Sequence, residues 1–167
     1  MGRWRLFGLL AVLVACSDDR TATPTTTGLL TANATVIYVT DGDTIGVEID
    51  GVEERVRLIG IDTPETKKPD TPVECFGPEA TAFTTSLLPK GTSLYVERDV
   101  EARDIYGRLL AYVYRSEDGV FVNLEIVQQG YARPLTIPPN VAHADEFVVG
   151  ARNAEATNVG LWAGCSG

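Results

Sequence analysis

The sequence predicts a mixed α+β fold: a small, partly open five-stranded barrel with helices packed on it. Three observations carry that expectation. Five segments are β-branched or alternate apolar with polar residues, an Asp-Gly hairpin joins two of them, and segments of helical period fall between the rest. The 167 residues suffice for one domain with a real core.

In chain order, "ATVIYVT" (Ala34 to Thr40) is a β-branched strand. "TIGVEID" and "GVEERVRLIGI" then flank Asp50-Gly51, the strongest short hairpin signal. A two-residue loop there pairs position 45 with 56, 47 with 54, 49 with 52 and 43 with 58. Ile45, Val47 and Ile49 then share a core face with Val52, Val56 and Leu58. "GPEATAFTTSLL" is a helix with Pro78 in its first turn, Glu79 complementing the dipole, and Phe76, Ala80, Phe83 and Leu87 on one stripe. Pro89 stops it. "TSLYVER" and "GRLLAYVYR" are two more strands, the second followed by a turn at Asp118-Gly119. "VNLEIVQQG" is a short helix with Asn123 as cap and Gly130 as stop. The prolines of "PLTIPPN" deny regular structure, and "VAHADEFVVGARNAEATN" is the last helix.

The chain begins differently. Arg3 and Arg5 precede the apolar run "LFGLLAVLVA", too short for a permanent span and laid out as an export signal over residues 1–16. Its ending "LVAC" resembles a bacterial lipobox, which implies cleavage before Cys16 and lipid on that thiol. An ordinary small-residue cleavage site is the alternative. Residues 17–30, Thr-rich and polar, form a flexible tether, leaving 31–167 as the folded domain. The expected place is outside the cytoplasm, anchored to the envelope, as a monomer. If Cys16 carries lipid, Cys75 and Cys165 remain as an even pair in an oxidising compartment and are expected to bridge. Such a loop of about 90 residues is worth about 4 to 5 kcal/mol in the chain-entropy model.

The whole chain carries a formal charge of −9; without Arg3 and Arg5, 12 basic residues face 23 acidic ones, a net −11. That balance excludes tight non-specific binding of polyanions, so phosphate chemistry must rest on local cations, arginines or a metal.

Chemistry-bearing residues gather in two places. "DGDT" (Asp41 to Thr44) opens the first hairpin strand, and "LIGIDTPETKKPD" ends the second with Asp62 and Glu65 around Thr-Pro. Strand parity puts Asp43 and Asp62 on one face and Arg57 on the other. The two aspartates are offset by four residues, about 13 Å on a flat ribbon and too far to share an ion. A coil or bulge must close that gap, with Gly60 as its natural place. Taken singly, each of these residues is ordinary turn or surface punctuation, and Arg108 could merely pair with Asp104.

Taken together, "DGDT", "RLIGIDTPETKKP", "FGPEATAF", "DIYGRLLAYVY", "VNLEIVQQGYA" and "GLW" resemble the staphylococcal nuclease (thermonuclease) family from about Val36 to Trp162. The resemblance implies a five-stranded OB-fold barrel with three helices, cleaving phosphodiesters of DNA and RNA with Ca²⁺ to leave 3′-phosphate. It implies Asp43 and Asp62 as metal carboxylates, Thr63 as a carbonyl ligand and Glu65 as the group that orients or deprotonates water. Arg57 and Arg108 would grip the phosphate, with Tyr106, Lys67 and Lys68 on the substrate. The chemistry agrees: Ca²⁺ wants oxygen ligands, and the planar fork of arginine suits phosphate.

The chain departs from the family in two stretches. "PLTIPPN" lacks the tyrosines that help hold the base, and Asp70 and Thr71 stand where the family is basic. His143, the only histidine, lies in the last helix and is assigned no catalytic role. An inert barrel that binds nucleic acid or protein, or a Ca²⁺-stabilised envelope module, would not need all five of Asp43, Arg57, Asp62, Glu65 and Arg108.

Overall fold

The computed structural model describes Met1, 30–66 and 72–165. The expected leader with Cys16, nearly all of the tether, and Lys67 and Lys68 lie outside the described residues. The elements are β1 (Ala34–Asp41), β2 (Thr44–Ile49), β3 (Val52–Leu58), β4 (Gly60–Asp62), α1 (Gly77–Leu87), β5 (Ser93–Arg103), β6 (Leu109–Arg115), α2 (Val122–Gln128), β7 (Arg133–Leu135), α3 (Ala144–Ala156) and a one-turn α4 (Leu161–Gly164).

Five strands form a closed barrel in the order β1-β2-β3-β6-β5, sealed where Ala34 and Thr35 of β1 meet Leu94 and Ser93 of β5. The barrel is therefore closed where the sequence suggested it partly open. The Asp-Gly hairpin has the expected register, Thr44 with Arg57 through Ile49 with Val52. Asp50 and Gly51 both adopt positive φ, 51° and 78°, the backbone that a two-residue turn requires. Ile45, Val47, Val56 and Leu58 are fully buried. Val52 is not: at the hairpin tip, beyond the barrel wall, it is 58% exposed, and Ile49 is half-buried.

The helices cover the barrel with three sizeable elements, plus a last turn, α4, that the sequence pattern did not announce. Phe147 of α3 and Ile126 of α2 are fully buried against the barrel residues Leu58 and Tyr112 in one core. Each such large side chain contributes about 1.5–3 kcal/mol of burial.

Asn123 is not a helix cap, since Phe121 holds that position. Its amide is fully buried instead, accepting from the backbone N–H of Val113 (2.9 Å) and donating to the carbonyls of Ile59 (2.9 Å) and Ala111 (3.3 Å). A buried amide with every bond made specifies position. Here it pins Ile59 at the point where the chain leaves β3.

"PLTIPPN" is more regular than its prolines suggested. Its leading Pro134 and Leu135 sit in β7, which pairs with β4 as a two-stranded ribbon, Asp62 opposite Arg133. A two-stranded ribbon has only edges, where a missing proline N–H is tolerated. The next turn contains a cis Pro138-Pro139 bond and is tied to β5 by Asn140, whose amide exchanges two hydrogen bonds with the backbone of Glu101.

Candidate active site

Asp43 does not belong to a strand. It sits with Gly42 in the tight turn between β1 and β2, where Asp41 pairs with Thr44. A Cβ on Gly42 would come within 2.7 Å of the Thr63 side chain, so glycine lets Thr63 pack against the turn. The Thr84 hydroxyl of α1 donates to the Gly42 carbonyl at 2.7 Å and holds the turn from behind. Asp43 itself is only 7% exposed. Its Oδ2 accepts from Arg57 (2.9 Å) and from the Thr63 N–H (3.1 Å), and its Oδ1 from the Thr44 hydroxyl (3.2 Å).

This corrects the expectation that Arg57 lies on the face opposite Asp43 and Asp62. Alternation applies inside a ladder, and Asp43 is outside one. Beyond Leu58 the chain bends at Gly60, whose φ is +82° and where a Cβ would strike the Phe147 ring at 2.1 Å. The bent segment folds back over Arg57. The guanidinium donates to the carbonyls of Leu58 (2.8 Å) and Ile61 (3.1 Å) and pairs with Asp62 (3.1 Å) as well as Asp43. One guanidinium thus joins the two aspartates that a flat ribbon would hold far apart.

Thr63, Glu65 and Arg108 reach the same place. A cavity of about 320 Å³ is lined by Asp41, Asp43, Asp62, Glu65 and Glu74, faced by Arg57 and Arg108. Sequence reasoning missed Asp41 and Glu74. Asp41 had a signal, being the first carboxylate of "DGDT"; Glu74, nine residues past Glu65, had none. Burial pushes the Asp41 carboxyl above its usual range, and the negative charges of Asp43 and Glu65 add to this, against hydrogen bonds from the Asp43 N–H and Thr44.

Five carboxylates against two arginines leave the cavity short of positive charge, and a hard dication fits that donor set. Among the described residues no three acidic, histidine or cysteine side chains cage an ion by themselves. Asp43, Asp62 and Thr63 all line the cavity and would supply oxygens to such an ion.

Arg108 does pair with Asp104, through Nε at 2.7 Å, and that contact aims it. The Asp104 carboxylate also accepts from the Arg108 and Tyr106 N–H groups (2.9 and 3.0 Å), closing the turn at Gly107. Burial alone would push Asp104 up, but the bonds from Arg108 and these backbone donors outweigh it and hold the carboxyl below its usual range. The other end of Arg108 reaches the Thr44 hydroxyl at 3.4 Å, and its guanidinium lies 5.5 Å from the centre of the Tyr106 ring. Tyr106 is 75% exposed.

On the far side of the two arginines lies a second cavity of about 350 Å³, walled by Ile59, Ile61, Ile105, Leu110, Leu135 and Ile137, with Tyr106 at its edge. His143 lines neither cavity: it sits edge-on among the rings of Tyr112, Phe121 and Phe147 and pairs with Glu146 at 2.7 Å. Cys75 and Cys165 form a disulfide, Cα to Cα 5.9 Å.

A closed barrel with a carboxylate-rich, arginine-gated cavity at one rim defines a protein that handles anionic ligands beside concentrated negative charge. The model of the staphylococcal nuclease homologue family matches residues 55–164. The thermonuclease of Staphylococcus intermedius is 40% identical over 124 residues, 74% of this chain and 72% of that protein. The thermonuclease of Staphylococcus hyicus is 38% identical over 127 residues, 76% and 73% of the two chains. Endonuclease YncB of Bacillus subtilis (strain 168) is 38% identical over 132 residues, 78% of this chain and 61% of its own. The chain belongs to the staphylococcal nuclease family.

Proposed function

We propose that this protein is a Ca²⁺-dependent nuclease that hydrolyses phosphodiester bonds of DNA and RNA by attack of water on phosphorus, leaving 3′-phosphate ends. Its family and its relatives support a nuclease, a hydrolase of ester bonds. The observation that carries the reading is Arg57 bracketed by Asp43 and Asp62 in the wall shared by both cavities.

Asp43, Asp62 and the Thr63 carbonyl would hold Ca²⁺. Bound there, the ion supplies neutralisation of charge that builds on the phosphate oxygens. Arg57 and Arg108 donate to those same oxygens, strongly because both are held partly out of water. Glu65 accepts the proton of the attacking water. The aliphatic cavity beyond the arginines takes the nucleoside next to the cut, with Tyr106 at its rim. The expectation that Lys67 and Lys68 contact the substrate falls outside the described residues.

The leader and Cys16 support an exported, lipid-anchored protein working outside the cytoplasm; we take it to act as a monomer. In that setting the net negative charge is screened by salt and by Ca²⁺ itself.

The test incubates purified protein with denatured DNA and with RNA at millimolar Ca²⁺, or with chelator. Cleavage that needs Ca²⁺ and leaves 3′-phosphate ends supports the reading. Folded protein that cuts equally in chelator, or not at all in Ca²⁺, overturns it.

A further inference from the structure

The segment that carries Glu65 is pinned by a residue to which the family resemblance gives no role. The Glu65 N–H donates to a Glu74 carboxylate oxygen at 3.1 Å, and the Glu74 N–H donates back to the Glu65 carbonyl at 3.0 Å. Two reciprocal bonds between residues nine apart close the base of the intervening loop.

The chain just beyond Glu74 is fixed to the body of the protein from three directions. Cys75 is bridged to Cys165 just beyond α4. Phe76 packs on α4, where a Cβ at Gly164 would meet its ring at 2.9 Å, and lies 5.3 Å from the Tyr131 ring. Gly77, buried at the start of α1, lies against the Pro64–Thr66 backbone: a Cβ there would meet the carbonyls of Pro64 and Glu65 at 3.1 Å and the Thr66 methyl at 2.7 Å. Phe76 holds φ +71°, a backbone that non-glycine residues keep only when surroundings impose it. The Thr66 N–H then donates to a Glu65 carboxylate oxygen at 2.9 Å, which fixes the side chain relative to this clamped backbone.

We propose that Glu74 is a positioning residue for Glu65, and that the Cys75–Cys165 bridge, one residue further on, transmits the rigidity of α4 to it. The proposal rests on Glu65 acting on the attacking water. Glu74 also lines the site cavity, so a simple charge effect there must be separated from positioning. A base displaced by an ångström loses rate through geometry while substrate binding, made elsewhere, is retained.

The experiment measures kcat, KM and thermal midpoint for Glu74→Ala, Glu74→Gln, Glu65→Gln, the Glu65→Gln/Glu74→Ala pair, and Cys75→Ser/Cys165→Ser in the full chain. Glu74→Ala should lower kcat about tenfold at unchanged KM. Glu74→Gln, whose amide oxygen still accepts the Glu65 N–H, should recover to within about threefold of wild type although it carries no charge. In the Glu65→Gln background Glu74→Ala should cost almost nothing more, because the group it positions is already disabled. The cysteine pair, assayed well below its own midpoint, should lower kcat several-fold at unchanged KM; should it fail to fold, the Glu74 series still decides.

Glu74→Gln as slow as Glu74→Ala, or equal losses in both backgrounds, overturns the proposal. A full-rate Glu74→Ala beside an impaired Glu65→Gln overturns the proposal alone. A full-rate Glu65→Gln overturns the reading of Glu65 and the proposal with it.

Discussion

The two cavities that share Arg57 and Arg108 are of similar size and opposite character. One is lined by five carboxylates and built from the end of β1, the β1–β2 turn, the end of β4 and the segments between β4 and α1. The other is walled by isoleucines and leucines from the β3–β4 junction, β4, β6, β7 and the turns after β5 and β7. On the proposed function, the difference separates two tasks. Carboxylates near arginines concentrate charge where it must change during reaction, whereas aliphatic walls offer contact area indifferent to the progress of bond breaking. Changes on the acidic side should therefore appear in kcat and changes on the aliphatic side in KM.

The sharpest way to break this division is the residue that belongs to both. Arg57→Ala removes the proposed phosphate donor and also the cation that joins Asp43 to Asp62. We expect kcat to fall about 10² to 10³-fold. Arg57→Lys should recover little, because a point charge cannot reach both carboxylates and the carbonyls of Leu58 and Ile61 together. Steady-state rates on denatured DNA check this; a lysine variant within a few-fold of wild type would show that charge alone matters. A smaller loss, about a hundredfold, is expected for Glu65→Gln in the same assay.

The acidic cavity was more legible in the sequence than its geometry was. Asp43, Arg57, Asp62, Glu65 and Arg108 are ordinary punctuation taken singly and became legible only through motifs that together resemble the family. Strand alternation, applied to Asp43 as though it were in β2, still put Arg57 on the wrong face. The error was physical: a residue in a tight turn obeys no two-residue period. The bend itself falls at Gly60 as expected, but the close approach of Phe147, from a helix far along the chain, that leaves no room for a side chain there has no local signal. Asn123 looked like a cap because polar residues favour helix starts. Only its bonds to the distant Val113 N–H and to the carbonyls of Ile59 and Ala111 explain why it is buried. Hairpin register, by contrast, comes from two residues of turn chemistry and needed nothing distant.

The aliphatic cavity gives the next predictions. Ile137, 60% exposed at its mouth, should matter to KM alone: Ile137→Ala is expected to raise KM about fivefold with kcat unchanged. Ile137→Tyr should move KM the other way by a similar factor, since a ring stacks on any base. If either variant changed kcat more than KM, the two cavities would not be functionally separate.

The smallest effect concerns Asp104, which contacts the shared arginine and lines the aliphatic cavity but not the acidic one. Its carboxyl is held below the usual range, so its folded pKa lies under the unfolded value of about 3.9. A depressed carboxylate adds stability that is fully present above the unfolded pKa and fades as pH falls through the folded one. Asp104→Asn keeps an oxygen for the two backbone N–H groups but loses the charge opposite Arg108. The gap in urea midpoint between wild type and Asp104→Asn should hold steady from pH 7 to about 5, then narrow below about pH 4 as the wild-type carboxylate protonates. Arg108, less firmly aimed, should also lower kcat a few-fold at pH 7. A gap that persists undiminished to pH 3 would mean that Asp104 acts through shape alone, and the arginine shared by both cavities would then be oriented by its Thr44 contact and its own turn.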